Sequence, residues 1–183
     1  MSVPSWNRTV SQVEFLHTFH KLRKEVILIL MRDFGVKSKI YTFETLEKMF
    51  ALDNEDAEQL KGILTKNHMS SVDAIKYPDW LINTWRSELL KMLNSLGVEI
   101  ELANNIYSGS MVEYNERRLH WTLAIGYCHA IKDKLNEIIG ILDVKVGAYE
   151  VVTEYITTEI KLLKGVRKSD TSRAKKTSWW VDK

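Results

Sequence analysis

Apolar residues recur at alternating steps of three and four along residues 121–142, and this rhythm constrains the fold more than any other feature of the sequence. Residues three and four apart lie on one face of an α-helix, so a sustained alternation produces one buried stripe of the kind found in coiled coils and bundles. A long amphipathic helix is therefore predicted from about residue 110. The stripe consists of Trp121, Ala124, Cys128, Ile131, Leu135, Ile138 and Leu142.

Three other stretches carry stripes of the same type, and only two prolines and eight glycines interrupt the chain. They cover residues 10–34, residues 78–107 and the segment from about residue 146 to Gly165. The links between the second, third and fourth helices are short. An all-α fold is predicted, an up-down four-helix bundle with a small helical insertion between the first and second long helices. The three stripes contain Phe15, Phe19, Leu22, Val26, Ile29 and either Met31 or Leu30; Leu81, Trp85, Leu89, Met92, Leu96, Ile100, Ala103 and Tyr107; and Tyr149, Val152, Ile156, Ile160 and Leu163.

Capping residues mark several helix ends. Two Ser and Glu pairs have the spacing of a capping box, in which each side chain satisfies a backbone amide near the other residue. Gly35 stands where a C-terminal glycine is expected, and Pro78 suits the first turn of a helix. The two pairs are Ser11 with Glu14 and Ser110 with Glu113.

The predicted organisation has four parts. Residues 1–35 contain the first bundle helix, residues 36–77 a helical insertion, residues 78–166 the other three bundle helices, and residues 167–183 a basic tail. Apolar residues are sparser in the insertion. Short helices are predicted there over residues 42–50 and 55–67, with Asp53 or Asn54 as the cap of the second and a loop over residues 67–71.

The sequence lacks the residue patterns of an enzyme site. It has neither a glycine-rich phosphate loop nor a nucleophile elbow. Cys128 lies on the apolar stripe, where a buried structural thiol is expected. Glu14, His17 and His20 share one helix face, but the other stripes are apolar and supply no further metal ligands. The protein is predicted to be no enzyme and to hold neither a metal nor another cofactor.

The compartment is predicted from two features. A single cysteine cannot form an internal disulfide, which favours a reducing environment. The N-terminal residues have no apolar core of signal-peptide length, and the longest fully apolar run, Val26–Met31, is too short to span a bilayer. A cytoplasmic protein without membrane contact is predicted.

The positive charge is concentrated near the C-terminus. The chain has a net charge of +2, whereas residues 167–183 carry six Lys or Arg against two Asp, a net +4. This distribution fits contact with an acidic partner such as nucleic acid, although a solubilising end would have the same composition. Trp179 and Trp180 fit no helix stripe. They could anchor in a partner groove or stack on single-stranded RNA.

Two arginines in the third helix carry the same ambiguity. Arg117 and Arg118 precede Trp121, and arginine beside an aromatic ring can hold phosphates and stack on bases. Alternatively, they pair with Glu113, Glu116 or neighbours on the helix. Lys21 and Lys24 form part of a basic column on the first helix, opposite its apolar face.

Several phrases resemble a known family. They cover residues 10–35 and 80–170, and together they resemble the accessory variability determinants of diversity-generating retroelements, four-helix-bundle proteins encoded beside reverse transcriptases. The first-helix phrase is similar to the longer phage and gut-bacterial members. The phrases are Leu22-Arg23-Lys24, Arg32-Asp33-Phe34-Gly35, Ala103-Asn104-Asn105-Ile106-Tyr107, Glu113 with Arg117-Arg118, Ala124-Ile125, Glu159-Ile160-Lys161-Leu162-Leu163-Lys164-Gly165 and Arg167-Lys168-Ser169-Asp170.

The resemblance implies a homopentameric, non-catalytic subunit that binds a reverse transcriptase and its structured template RNA during error-prone cDNA synthesis. Two departures stand out: compact members lack a counterpart of residues 36–77, and residues 1–166 carry a net −2. The candidate nucleic-acid contacts, combined with the basic tail, are Arg117, Arg118, Lys164, Arg167, Lys168, Arg173, Lys175, Lys176, Lys21 and Lys24, and the candidate partner anchors are Trp179 and Trp180.

Two other functions compete with this one. A helical-bundle adaptor with purely protein partners, such as an immunity protein, an antitoxin or a phage structural adaptor, would use the tail tryptophans for docking and the arginines for salt bridges. A metal-dependent enzyme with its site in the bundle core ranks last.

Overall fold

A computed structural model describes residues 13–36, 40–43, 47–48, 51, 53–67, 71–73 and 77–180. The chain divides into two compact units. The first comprises residues 1–36 and 83–183, and the second comprises residues 37–82.

Long helices dominate the described residues, which confirms the all-α class. The helices are α1 (Glu14–Met31), α2 (Asn54–Lys66), α3 (Asp79–Asn105), α4 (Met111–Ile141) and α5 (Gly147–Ala174). A 3₁₀ turn over Asp33–Gly35 follows α1, and two three-residue strands, β1 (Ile40–Thr42) and β2 (Ser71–Asp73), flank α2. Among the described residues, no helix combines the length and the apolar character that a membrane crossing needs.

Helices α1, α3, α4 and α5 form the predicted up-down bundle. In each contacting pair, residues later in one helix meet residues earlier in the other, so consecutive bundle helices run antiparallel. The contacts that set these directions are Arg23–Asn94 and Leu30–Arg86 between α1 and α3, Glu99–His120 and Glu88–Lys134 between α3 and α4, and Tyr114–Thr171 and Arg117–Asp170 between α4 and α5.

The core is built from the four apolar stripes, and most of their members are buried. The first stripe continues to Leu30, because Met31 is 75% exposed. The stripe of α3 was predicted too long, because Tyr107 lies beyond the end of the helix at Asn105 and is 80% exposed, and Leu81 and Met92 are only half-buried.

Gly97 allows α1 to approach α3 closely. A Cβ atom at this position would lie 2.9 Å from Cζ of Phe19, closer than real carbon contacts permit. Phe19 is itself buried. The glycine, which costs helix stability in an ordinary interior position, is therefore explained by packing at this crossing.

The turn after α1 closes one end of the bundle. Asp33, Phe34 and Gly35 all have positive φ, of 45°, 63° and 65°, a region that glycine tolerates and a bulky residue adopts only when packing compensates. Packing compensates for the positive φ of Phe34. This residue is fully buried, its ring meets Trp85 edge to face at 6.3 Å, and its carbonyl accepts a 2.8 Å hydrogen bond from the Tyr149 hydroxyl.

The capping box at the start of α4 is confirmed. The Ser110 hydroxyl accepts a hydrogen bond from the Glu113 amide at 3.3 Å, and the Glu113 carboxylate accepts bonds from the Gly109 amide and the Ser110 hydroxyl, both at 3.0 Å. The other proposed box cannot be compared, because Ser11 lies outside the described residues.

The boundary between bundle and tail was predicted too early. Helix α5 continues to Ala174, beyond the predicted end near residue 166, and both Asp170 and Ala174 are buried. The helix persists because its inner face keeps making core contacts as far as Ala174. Much of the predicted basic tail is therefore part of the bundle.

The second unit contains a small antiparallel sheet that the sequence pattern did not predict. Strands β1 and β2 pair Ile40 with Asp73, Tyr41 with Val72 and Thr42 with Ser71. Thr42 thus belongs to a strand, whereas Phe43, Glu47 and Lys48 are helical as the predicted helix 42–50 requires, and its other residues lie outside the described ones. Ser71, placed in the predicted loop, begins β2. Asp53 caps α2 as predicted, accepting a 2.9 Å bond from the Asp56 amide.

Candidate nucleic-acid interface

A basic depression lies between the start of α4 and the end of α5, and we call it the α4–α5 cradle. Its volume is about 280 Å³. Helix α5 supplies most of the lining because successive steps of four, three and four residues place Lys164, Lys168, Thr171 and Lys175 on one face. The cradle is lined by Arg118 from α4 and by Lys164, Arg167, Lys168, Thr171, Ser172 and Lys175 from α5.

The cradle carries five cationic side chains, and no acidic residue is among those that line it. In the described part of the chain, Lys164, Lys168 and Lys175 form no ion pair with a carboxylate. The partial negative charge at the C-terminal end of α5 favours cations there, which offsets part of their mutual repulsion. The remaining positive potential attracts a ligand with several negative charges.

Hydrogen bonds to neutral groups orient the two cradle arginines. Arg118 donates to the Tyr114 hydroxyl at 2.9 Å, and Arg167 donates to the Thr122 hydroxyl at 3.2 Å. The Tyr114 hydroxyl also lies 3.0 Å from that of Thr171. A guanidinium has five N–H donors, so each of these side chains keeps donors for a phosphate or carboxylate.

Three aromatic rings form a cluster beside the cradle. The ring of Tyr114 lies 6.1 Å from that of Trp179 and 5.4 Å from that of Trp180, and the two tryptophan rings are 6.4 Å apart. The chain turns back here, because the Trp180 amide donates to the Thr177 carbonyl at 3.2 Å. Both tryptophans are half-buried. Trp179 and Trp180 therefore lie against α4, whereas the sequence suggested a basic tail outside the bundle.

Arg117 differs from its neighbour and is occupied within the fold. Its Nε donates to Asp170 at 2.7 Å, its terminal nitrogen donates to the Ile106 carbonyl at 2.7 Å, and its guanidinium carbon lies 5.7 Å from the Trp121 ring centre. Its side chain is only 16% exposed. Arg117 therefore forms an ion pair within the fold, which was the alternative to a phosphate contact. Its partner is Asp170 and neither Glu113 nor Glu116, and Arg117 does not line the cradle.

The other proposed contacts are dispersed. Arg173 donates to Asp170 at 3.0 Å. Lys176 is exposed just after α5 ends, and Lys21 and Lys24 are exposed on α1. None of the four lines the cradle.

The sequence pattern did not identify one buried carboxyl group, that of Glu159. Glu159 is fully buried in α5, and neither of its side-chain oxygens has a hydrogen-bond partner within the described residues. Desolvation raises the pKa of Glu159 to about 8. Glu159 continues the helical spacing from Val152 through Ile156 to Leu163, so the apolar stripe predicts a buried residue at this position. Ile160 fits the same spacing and was assigned to the stripe instead.

Cys128 is buried and free, as the stripe predicted. Desolvation raises the pKa of the Cys128 thiol, and the negative charge of Glu159 raises it further. Such a thiol is a poor nucleophile because the thiolate is the reactive form.

No group of three or more His, Cys, Asp or Glu side chains in the described ranges is arranged to hold a metal ion. His17 and His20 are both exposed on α1.

Comparison with known proteins does not assign a relative. No protein-family model matches the chain, and neither a curated protein nor a solved structure is significantly similar to it.

Proposed function

We propose that this protein is a non-catalytic accessory subunit that binds a reverse transcriptase and its structured template RNA, and so supports error-prone cDNA synthesis in a diversity-generating retroelement. The observation that carries the nucleic-acid part is the α4–α5 cradle, in which five of the cations selected from the sequence converge without an acidic neighbour. The family phrases in residues 10–35 and 80–170 support the retroelement context.

Neutralising two cradle lysines tests the nucleic-acid part. The double variant Lys164→Gln, Lys168→Gln should bind RNA about tenfold or more weakly at 0.1 M salt, because two phosphate contacts and their counterion release are lost. The slope of log K against log salt concentration should also fall by roughly 1.4 for a single strand. Both quantities come from fluorescence anisotropy titrations of a labelled RNA at several salt concentrations.

The matched control removes the same charge elsewhere. Lys91 and Lys145 are exposed and do not line the cradle, so Lys91→Gln, Lys145→Gln should retain most of the affinity. Equal losses in the two double variants would mean that net charge and not the cradle determines binding. Far-UV circular dichroism should show the same helix content in both variants, because all four side chains are exposed.

An exposed apolar stripe supports the protein-binding part of the proposal. Leu119 and Leu123 lie one turn apart on α4 and are 55% and 40% exposed, and on α3 Val98 and Leu102 are 52% and 42% exposed. The pairing of Glu99 with His120 brings these two segments side by side. A contiguous apolar surface of this type is characteristic of an association face. We propose that it joins copies of this chain into a homo-oligomer, a pentamer by the family resemblance.

Charged substitutions in this stripe should dissociate the oligomer. In Leu119→Lys, Leu123→Lys, burial at the interface would require desolvating two ammonium groups, so the mass should fall to that of a monomer in size-exclusion chromatography with light scattering. The control Val151→Lys changes a residue of similar exposure, 43%, on α5 and should keep the wild-type mass. A monomeric wild-type protein would remove the homo-oligomer from the proposal.

The same apolar stripe also favours the second candidate, an adaptor with protein partners only. Affinity purification from cells that also contain the reverse transcriptase and its template RNA separates the two functions. Recovery of both macromolecules supports the retroelement subunit, whereas recovery of protein partners after nuclease treatment, with no RNA affinity in the titrations, supports the adaptor.

A further inference from the structure

We infer that the α4–α5 cradle and the aromatic cluster of Tyr114, Trp179 and Trp180 form one composite site for single-stranded nucleic acid, with the phosphates in the cradle and an unpaired base on a tryptophan ring. This inference rests on the proposed function, because it specifies which form of nucleic acid the cradle binds.

The first step is the continuity of the two parts. The Tyr114 hydroxyl is hydrogen-bonded to Arg118 at 2.9 Å and lies 3.0 Å from the Thr171 hydroxyl, and both partners line the cradle. The ring of the same Tyr114 contacts both tryptophans. One side chain therefore joins the cationic surface to the aromatic surface.

The second step is the fit of the cradle to a backbone. Lys164 and Lys175 are eleven residues apart on α5, which corresponds to roughly 16 Å along the helix axis at about 1.5 Å per residue. At a rise of about 3.4 Å per nucleotide along a stacked strand, this length corresponds to roughly five nucleotides. The hydroxyls and lysines along it are suited to phosphate contacts that carry no sequence information.

The third step is the state of the rings. Trp180 meets Tyr114 at an interplanar angle of 81°, and Trp179 is tilted by 42° to the same ring, so the cluster is held by edge and face contacts while both indoles remain partly exposed. Rings held in this way lose little side-chain entropy on binding. Bases within a duplex are already stacked and paired, so only an unpaired base can use such a surface.

The chemistry of the cluster also separates nucleic acid from an acidic peptide. A peptide rich in Asp and Glu would satisfy the cations, but it has no flat ring to place on the indoles. We therefore assign the site to nucleic acid, with RNA and DNA strands as the two possible sources of the same phosphate and base chemistry.

The test uses the full-length chain and four fluorescent probes: decauridylate, decathymidylate, a ten-base-pair RNA duplex and decaglutamate. In Trp179→Leu, Trp180→Leu, affinity for the single strands should fall about tenfold or more, and affinity for the duplex should change less than twofold. The control Trp179→Phe, Trp180→Phe keeps aromatic rings and should restore most of the single-strand affinity. The two single-stranded probes differ in the sugar and in the C5 methyl group of thymine, and comparing them shows whether the site prefers the RNA or the DNA strand.

Tryptophan emission provides a second measurement. Binding of decauridylate should quench the emission of the wild-type protein, and the part of the quenching that comes from Trp179 and Trp180 should be lost in the phenylalanine variant. Trp85 and Trp121 are buried, whereas Trp80 is 68% exposed and emits in both proteins. The change in tryptophan emission reports stacking of a base even if the leucine variant is destabilised.

The outcomes separate this inference from the proposed function. Equal losses for strand and duplex in the leucine variant, or no loss, would overturn the composite site while leaving nucleic-acid binding by the cradle intact. Binding of decaglutamate as tight as that of decauridylate would also overturn it. If the wild-type protein bound none of the three nucleic acids, both the inference and the RNA part of the proposed function would fail.

Discussion

Replacing Asp170 by alanine is expected to lower the free energy of unfolding by about 3–5 kcal/mol, the range for breaking a buried ion pair by removing one partner. Asp170 is 6% exposed and accepts hydrogen bonds from Arg117, Trp121 and Arg173 at 2.7, 3.0 and 3.0 Å. Without the carboxylate, the Arg117 guanidinium stays buried with only the Ile106 carbonyl, and the indole N–H loses its acceptor. Urea denaturation followed by far-UV circular dichroism measures the loss.

An exposed pair of the same chemistry serves as the control. Arg86 also pairs with an aspartate, Asp33, whose side chain is 73% exposed. Asp33→Asn removes the charge and keeps a residue type that tolerates the φ of 45° at this position, so it should cost no more than about 1 kcal/mol because water screens that pair. Similar losses in Asp170→Ala and Asp33→Asn would show that burial does not distinguish the two pairs, and the account of Asp170 would be wrong.

The buried ion pair with Asp170 determines whether a substitution of Arg117 or of Arg118 can be used to test nucleic-acid binding. Reversing the charge of Arg117 would place a second carboxylate against Asp170 and destabilise the contact between α4 and α5, so a loss of RNA binding could not be attributed to a missing phosphate contact. Arg118 is exposed and lines the cradle. A charge-changing substitution at Arg118 therefore probes the site without the same effect on the fold.

Arg117 and Asp170 also show what the sequence pattern alone could not predict. Adjacent positions on a helix point about 100° apart, because a turn contains 3.6 residues. The stripe in α4 indicates which residues face the core, but it does not identify a partner on another helix. Asp170 lies 53 positions away from Arg117 in the chain, and only the packing of α4 against α5 brings them together.

The four bundle helices were predictable for the opposite reason. Their signal is local, since apolar spacing and capping residues lie within each segment, and the stripe of α4 and the box at Ser110 were both correct. The end of α5 was misplaced because the polar Asp170 interrupts the apolar pattern before Ala174. The strands β1 and β2 were missed because three residues are too few for an alternating pattern to be recognised.

Part of the cradle could be predicted from the sequence. Lys164, Lys168 and Lys175 follow helical spacing on α5, so their common face could be deduced once the helix was extended far enough. The contribution of Arg118 and the return of Trp179 and Trp180 onto Tyr114 required the tertiary structure, because neither contact follows from the pattern of a single helix.

Replacing Glu159 by glutamine is expected to stabilise the bundle at pH 8 and to leave its stability near pH 4.5 almost unchanged. The ordinary pKa of this carboxyl is 4.5, and burial raises its folded-state pKa to about 8. Between these values the unfolded state has released the proton and the folded state has kept it. The free energy of unfolding of the wild-type protein should therefore fall as the pH rises through this window and level off above it.

The size of the effect follows from the free energy associated with one pKa unit. At about 1.36 kcal/mol per unit, the loss across the window is on the order of 3–5 kcal/mol. The glutamine variant has no charge to lose, so subtracting its urea denaturation results from those of the wild type at each pH isolates Glu159 from other titrating groups. A leucine variant should be more stable still at both pH values, because it also removes the unpaired polar atoms.

The surroundings of Glu159 explain why the carboxyl remains neutral. The buried faces of α1 and α3, as far as the structure describes them, carry no titratable side chain, and the buried face of α4 contributes the uncharged thiol of Cys128 and the phenol of Tyr114. On α5 itself, Asp170 is already paired with two arginines, and Tyr149 is uncharged. No buried cation is therefore available to stabilise the ionised form.

A carboxylate on the surface of the same helix provides the control. Glu154 is exposed on α5, and Glu154→Gln should change stability by less than about 0.5 kcal/mol and keep the wild-type dependence on pH. If the difference between the wild type and Glu159→Gln were the same at pH 5 and pH 8, the carboxyl would have to be ionised in the folded bundle. That result would require a hydrated or paired Glu159, and the account of a neutral buried carboxyl would be wrong.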